Sequence, residues 1–356
     1  MVNPEGRGLL AARIASGLLA LSLLVWTFHG VDFSRVSESM AGVGLFGFAL
    51  IATPQLLSLC LECCGWSRVF QVLGRRVSPR PLLRVRLATE AVAQTLPLGV
   101  VWAESLKPLL LARHAGLPTS DSVAAIVARK YLLMASQAVY VAVLSACGFA
   151  TLRKLSQALT GHVELAWCAF AVSGLLCLLA FGVSGAFTTG RVADRVLGLL
   201  RSVPNVRLQR ALSGRKAAFA STDDLTARYF AAGFLRGTVQ PGFFFLCGWF
   251  SESLESFLIL KLLGVQLDFF SVASVEVMLS FLKNVLFILP AGIGIQDVGY
   301  VSCLAALGVP DALNVGAAFS VLKRGKELFW ATFGYLLLAS EARPALATPR
   351  LGVGPA

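Results

Sequence analysis

Long apolar runs separated by short polar segments dominate this chain. A helix needs about 20 residues to cross a hydrocarbon layer of ~30 Å, and lipid offers unpaired backbone groups no partner, so these runs predict membrane-spanning helices. Residues 1–340 are thus expected to form one all-α polytopic membrane domain, followed by a short tail at 341–356. The six predicted full spans lie at about Leu9–Phe28 (uncleaved), Leu45–Trp66, Ser122–Phe149, Val163–Phe187, Phe230–Phe250 and Leu313–Ala339.

Two further apolar segments, about 87–112 and 272–307, are each interrupted by a Leu-Pro-x-Gly sequence. Proline removes a backbone donor and clashes with the preceding turn, whereas glycine permits a sharp reversal. The interruptions lie at Pro97 and Gly99 and at Pro290 and Gly292, and they leave halves too short to span. Two re-entrant helical hairpins are therefore predicted in addition to the six spans.

The two interrupted segments belong to a longer internal repeat, about 44–149 and 229–340. Each proline is followed seven residues later by an acid, Glu104 or Asp297. A Gly-apolar-Pro turn comes next, and then a helical segment with a basic pair, Arg129-Lys130 or Lys323-Arg324. Duplicated units with broken helices in matching positions are typical of transporters, whose substrates bind at those breaks.

Charge fixes the expected orientation of the spans. The chain has 56% apolar residues, 14% charged residues, a mean hydropathy of +0.75 and a formal net charge of +12. Its basic residues concentrate between apolar runs, at 68–86 and in the segment 188–228, which favours cytoplasmic loops over nucleic-acid binding. Both termini are then expected in the cytoplasm, and the two repeats are expected to be inverted. Val192–Leu200 is expected to form an amphipathic helix on the membrane surface, and Glu255 is expected to face outward.

Ionisable side chains at membrane depth cost about 2.5–3.5 kcal/mol each, so those retained there are candidates for function. Helix starts at Gly99 and Gly292 would offer free N–H groups to an anion, and arginine can bind phosphate through two parallel hydrogen bonds. Glu104 and Asp297 would balance the cations or carry a proton. Local pairing of Glu104 with Lys107 explains these residues equally well. The candidate substrate-binding or coupling residues are Glu90, Gln94, Gly99, Glu104, Lys107, Arg129, Lys130, Lys283, Asn284, Gly292, Asp297, Lys323 and Arg324.

These motifs resemble the lysylphosphatidylglycerol synthase transmembrane family, including its hopanoid-associated members and the membrane half of the multiple peptide resistance factor. The resemblance rests on Glu90 with Gln94-Thr-Leu-Pro97-x-Gly99, and on Pro290-Ala-Gly292-Ile-Gly294 with Asp297. It implies a bacterial inner-membrane protein that moves lipids between leaflets, and it adds Gly294 to the candidates. Asp297 replaces the glutamate that is common in the family.

The expected function is therefore a flippase or transporter for an amphipathic, phosphate-bearing lipid. Two alternatives stay open: a lipid-modifying transferase with Glu104 or Asp297 as general base, and a non-catalytic partner of a lipid-synthesis complex that docks through 188–228. No cofactor or metal is expected, because the Cys60–Cys64 cluster has no second ligand group at metal spacing. The expected partners are the lipid substrate, anionic membrane lipids, lipid-synthesis enzymes and a second copy of the chain, without nucleic acid.

Overall fold

A computed structural model describes residues 22, 29–96, 99–202, 209, 212, 214, 216–285 and 294–346, of which 281–285, 295 and 341–346 are described by their backbone alone. The predicted first span, Leu9–Phe28, lies outside these residues except for Ser22. Every regular element in the described part is helical, which confirms the all-α class. The helices are α1 Phe33–Val72, α2 Pro79–Thr95, α3 Gly99–Ala115, α4 Thr119–Cys147, α5 Phe149–Thr160, α6 Leu165–Thr188, α7 Val192–Ser202, α8 Lys216–Ala231, a π-helical turn Leu235–Val239, α9 Gln240–Leu262, α10 Phe269–Val285, α11 Ile295–Ala306 and α12 Ala312–Leu346.

Four helical segments in the described part are long and apolar enough to cross a membrane. They are α1, α4, α6 and the continuous segment Leu235–Leu262. Helix α1 is longer than the predicted span Leu45–Trp66 and bends at Gly44, whose backbone leaves helical geometry. The chain is thus a multi-pass membrane protein, while the count of six spans and the re-entrant hairpins stay predictions.

The two predicted repeats share local geometry at the end of their first helix. At the end of α1, Gly74 has a φ of 78°, and the N–H of Arg75 donates to the Phe70 carbonyl at 2.8 Å. At the end of α9, Gly264 has a φ of 81°, and the N–H of Val265 donates to the Leu260 carbonyl at 2.9 Å. Glycine suits this left-handed helix cap because it has no Cβ. The next helix begins five residues after each glycine, at Pro79 and at Phe269.

Helices α1 and α9 cross closely and join the two repeats. A Cβ added to Gly65 would lie 2.7 Å from Cε2 of Phe245 and 3.1 Å from the Pro241 carbonyl oxygen. Gly248 lies across from Ser58 in the same interface. Gly65 and Gly248 are the central residues of the two Cys-Gly-Trp tripeptides, so this recurrence serves helix packing: small residues allow two backbones to approach.

Each repeat has its own apolar core. The first is built by α1–α4 with contributions from α6, α8 and α9, and the second by α9–α12 with contributions from α1 and α5. In the described part of the predicted cytoplasmic segment 188–228 lie α7 and most of α8. The helix predicted at Val192–Leu200 is present as α7, and the side chain of Asp223 accepts the N–H groups of Ala193 and Asp194 at its start.

Candidate functional site

A buried cluster of charges connects the four helices of the first repeat, and Glu62 of α1 lies at its centre. The Glu62 carboxylate accepts Nε of Arg86 from α2 at 3.0 Å and Nη2 of Arg129 from α4 at 2.5 Å. The guanidinium of Arg129 also lies 5.5 Å from the centre of the Trp66 ring, a cation–π contact. We refer to this group, together with Glu90, Gln94, Glu104, Lys107 and Lys130, as the first-repeat cluster.

Glu90 and Gln94 continue the first-repeat cluster along one face of α2. Arg86, Glu90 and Gln94 are spaced four residues apart, which places them on neighbouring turns of the same face. Arg86 forms an ion pair with Glu90, and Nε2 of Gln94 donates to Oε1 of Glu90 at 2.9 Å. Oε1 of Gln94 is buried and has no hydrogen-bond partner among the described residues.

Glu104 of α3 binds two lysines through the same carboxylate oxygen. Lys107 Nζ lies 2.7 Å from Oε1 of Glu104, and Lys130 Nζ of α4 lies 2.5 Å from it. Oε2 of Glu104 is buried without a partner in the described part of the chain. Lys107 is buried, whereas the Lys130 side chain is 46% exposed. The local pairing of Glu104 with Lys107 is therefore present, and Lys130 adds a more accessible cation.

Gly99 lies where the end of α2 meets the start of α3. A Cβ at this position would be 2.4 Å from the Ala93 carbonyl oxygen, so only glycine fits without movement of the backbone. The Gly99 N–H donates to the Leu96 carbonyl at 2.8 Å. The expectation that this N–H is free for an anion is therefore wrong: the turn uses it to join the two helices.

A second buried cluster occupies the second repeat and is centred on Glu276 of α10. Its carboxylate accepts hydrogen bonds from Ser256 of α9 and Tyr300 of α11, and Nζ of Lys323 lies 3.3 Å away. Lys323 also donates to the Tyr300 hydroxyl at 2.8 Å. Lys323 was a predicted candidate, and its partner Glu276 was missed. We refer to this group, together with Glu255, Asp297, Arg324, Lys326 and Glu327, as the second-repeat cluster.

The second-repeat cluster also contains a fully enclosed ion pair. Lys326 Nζ lies 2.7 Å from both carboxylate oxygens of Glu255, and it donates to Oε1 of Gln55 from α1 at 2.8 Å. Glu255 is only 3% exposed. Its predicted place in an exposed polar segment after the span is therefore wrong, because α9 continues to Leu262 and turns Glu255 toward α12.

Asp297 has a local structural role at the start of α11. Gly294 precedes the helix with a φ of 87°, and its N–H donates to Oδ2 of Asp297 at 2.9 Å. Nη2 of Arg324 lies 3.8 Å from the same oxygen, and Nη1 of Arg324 donates to Glu327 at 2.7 Å. Pro97, Pro290 and Gly292 lie outside the described residues. Lys283 and Asn284 lie in α10, and their side chains are also outside the description.

The two clusters share one architecture and differ in the arrangement of charge. In each repeat a buried carboxylate of the first helix pairs with a cation of the fourth, Glu62 with Arg129 and Glu255 with Lys326. The second helix carries Arg86 in the first repeat and Glu276 in the second. Both residues lie twelve positions after the left-handed glycine of their repeat, so equivalent positions of the two repeats carry opposite charges.

Sequence reasoning missed Glu62, Arg86 and Glu276. Glu62 and Glu276 have partners that are distant in the chain, and Glu62 was assigned to a span with several cysteines. Arg86 was assigned to a basic loop, although Glu90 lies four residues after it. The signal that was available is an isolated charge within an apolar run. Among the described residues no group of three or more His, Cys, Asp or Glu side chains could hold a metal ion, and all eight cysteine thiols are free.

A comparison with protein families gives one match for the chain. The family model described as the lysylphosphatidylglycerol synthase TM region matches residues 13–330, and so includes both clusters. The chain matches no curated protein and no solved structure.

Proposed function

Because the chain belongs to the lysylphosphatidylglycerol synthase transmembrane family, we propose that it moves a phosphate-bearing lipid between the leaflets of the bacterial inner membrane. The family makes it a membrane protein linked to lipid metabolism. Beyond that statement, we propose that this chain itself transports the lipid and that the lipid carries phosphate. We also propose that the chain lies in the inner membrane with both termini in the cytoplasm. They rest on the chemistry of the two charged clusters and on the basic segments between the spans.

The observation that carries this proposal is the duplicated buried charge cluster. An ionised group at membrane depth is costly and is retained where it has partners or lines a polar path. The first-repeat cluster satisfies most of its charges but leaves Oε1 of Gln94, Oε2 of Glu104 and Nε of Arg129 without partners among the described residues. Buried polar atoms without partners mark a place where a polar ligand or water gains hydrogen bonds.

Each cluster contains one comparatively accessible cation that is held by a predicted acid. Lys130, with 46% of its side chain exposed, pairs with Glu104, and Arg324, with 23% exposed, lies 3.8 Å from Asp297. A phosphate group can replace the carboxylate as the partner of such a cation, since both anions accept charge-assisted hydrogen bonds. In this mechanism the acids hold the cations between transport events, and the lipid tails stay in the bilayer while the headgroup passes.

The test is leaflet-resolved movement of a fluorescent phosphatidylglycerol in vesicles that contain the purified chain, with a matching fluorescent diacylglycerol as the probe without phosphate. Glu104→Gln and Asp297→Asn should each slow phosphatidylglycerol movement by at least about tenfold, which corresponds to ~1.4 kcal/mol in activation free energy. Glu164→Gln is the matched control, because the Glu164 side chain is 77% exposed and belongs to neither cluster.

Three results would overturn the proposal. The first is movement of phosphatidylglycerol at the same rate in vesicles with and without the protein. The second is wild-type movement in both acid variants. The third is covalent modification of the lipid by the purified chain, detected by mass spectrometry, which would support the transferase alternative.

A further inference from the structure

Two adjoining cavities lie at the end of α1, away from the charged groups at the centre of the first repeat. The larger, about 780 Å³, is lined by the turn between α1 and α2, including Arg75 and Arg76. The smaller, about 360 Å³, lies between α1 and the start of α9 and includes Arg68 and Arg236. Gln71 lines both cavities, so they meet at one side chain.

The lining of these cavities is strongly cationic. Four guanidinium groups and one neighbouring carboxylate, that of Asp121, give a local formal charge of +3. Arg75 forms an ion pair with Asp121 at the start of α4. Arg68 donates from Nη1 to Oε1 of Gln71 at 3.1 Å, which holds its guanidinium at the junction of the cavities. The remaining arginines, Arg76 and Arg236, have no carboxylate partner among the described residues.

The backbone around the cavities is fixed by specific hydrogen bonds. In the turn after α1, the Ser67 hydroxyl donates to the Val77 carbonyl at 2.6 Å. On the other side, Arg236 belongs to the π-helical turn, where the buried Tyr229 hydroxyl donates to the Gly237 carbonyl. The wide turn places Arg236 and Gln240 in one cavity wall. π-Helical turns are rare and occur frequently at functional sites.

An exposed apolar stripe lies on the helical segment that supplies Arg236 and Gln240 to the smaller cavity. Leu235, Val239 and Phe243 are 63%, 42% and 60% exposed, and their four-residue spacing places them along one side of the segment that carries Arg236. A ligand that filled the cavity with an anion and covered this stripe would be both charged and apolar. Free inorganic phosphate meets only the first condition, whereas a phospholipid meets both.

We propose that the two cavities form a docking site for the phosphate group of an anionic lipid at the edge of the membrane. Arginine suits this ligand because its planar guanidinium binds phosphate through two parallel hydrogen bonds. Basic pockets between membrane helices on the cytoplasmic side bind such headgroups in other proteins. The site is separate from Glu104 and Asp297, and it binds lipid whether or not the chain transports lipid.

The experiment measures equilibrium binding of short-chain phosphatidylglycerol to the full purified chain by native mass spectrometry, with dioctanoylglycerol as the probe without phosphate. The double variant Arg68→Gln/Arg236→Gln should weaken phosphatidylglycerol binding by at least about tenfold, because it removes two bidentate phosphate contacts. The matched control is Arg80→Gln/Arg84→Gln, which removes the same charge from exposed positions of α2 that line neither cavity. This control should bind within about twofold of the wild type.

Equal weakening in the two double variants would overturn the site, since it would indicate general attraction between charges. Displacement of the lipid by inorganic phosphate at the lipid's own concentration would overturn the lipid assignment and identify a site for a free anion. Arg236→Lys keeps the charge and the fold but loses the planar geometry, and unchanged binding in this variant would also contradict the proposal. The transport test changes Glu104 and Asp297 and measures lipid movement, whereas this test changes Arg68 and Arg236 and measures lipid binding, so failure of the proposed function and failure of this site give different results.

Discussion

Replacement of Glu62 by glutamine should strongly destabilise the protein. Glu62 is the carboxylate that Arg86 and Arg129 share, and removing one partner from a buried ion pair costs about 3–5 kcal/mol. Arg86 keeps Glu90 as a partner, so the loss falls mainly on Arg129, whose Nε already has no hydrogen-bond partner among the described residues. The cation–π contact between Arg129 and the Trp66 ring remains, and it offsets about 0.5–2 kcal/mol of this cost in unfolding free energy. We therefore expect the free energy of unfolding to fall by about 3 kcal/mol.

The measurement is equilibrium unfolding of the purified protein in mixed micelles, with the labelling rate of the buried Cys63 thiol as a local readout. Removal of both charges, in Glu62→Gln/Arg129→Gln, should restore at least about 2 kcal/mol relative to the sum of the single variants, because no unpaired ion remains. Glu164→Gln, at an exposed position, should stay within about 0.5 kcal/mol of the wild type. If the change in unfolding free energy of the double variant equals the sum of the changes in the two single variants, the argument that the arginines share the Glu62 carboxylate is refuted.

Three further changes test other parts of the structure. Gly65→Ala should cost about 1–3 kcal/mol in unfolding free energy because its Cβ would meet Phe245, whereas Gly182→Ala, which has no atom within 4 Å, should not destabilise. Asp268 accepts hydrogen bonds from Ser271 that lower its pKa below the ordinary value of 3.8, so its stabilising effect is complete at neutral pH and is lost as the pH falls through the lowered pKa. Asp268→Asn should therefore flatten the acid limb of a stability–pH curve, and an unchanged limb would contradict this. Tyr300→Phe should cost about 1–3 kcal/mol in thermal or denaturant unfolding, since its hydroxyl bonds two buried ions, and wild-type stability would show that the bonds are dispensable.

The sequence predicted the elements whose signals are local. The amphipathic pattern at Val192–Leu200 matches α7, and the apolar run at Val163–Phe187 matches α6 within two residues. In both cases the hydrophobic pattern and the flanking polar residues determine the helix. Neighbouring pairs were equally predictable, because residues three or four apart on a helix face each other, as Glu104 and Lys107 do.

Contacts between distant segments could not be predicted in this way. Glu62 and Arg129 are 67 residues apart, and Glu255 and Lys326 are 71 apart. Nothing in the local pattern distinguishes such a carboxylate from one in a loop. Hydropathy ended the predicted span at Phe250, but α9 continues to Leu262 because its polar residues, Glu255 among them, find buried partners. An acid shortly after the predicted end of a span can therefore belong to the same helix, as Glu255 does.

The two repeats also differ by about one helical turn in where equivalent residues lie within their second helix. Glu90 and Lys283 both lie seven residues before a proline, yet Glu90 is the twelfth residue of α2 and Lys283 is the fifteenth of α10. Three residues correspond to slightly less than one turn, so both positions lie on nearly the same face. The stretch from the start of the helix to the proline is therefore three residues longer in the second repeat than in the first.

The exchange of charge between Arg86 and Glu276 has an evolutionary consequence. A buried ion can be exchanged between the two halves only together with the residues that pair with it. Arg86 pairs with Glu62 and Glu90 of its own half, whereas Glu276 accepts from Tyr300 and lies beside Lys323 in the other. Exchanging the charge at one of these two positions alone would therefore bury an ion without a counter-ion. A change of charge at either position is therefore tolerated only together with compensating changes in the helices that surround it.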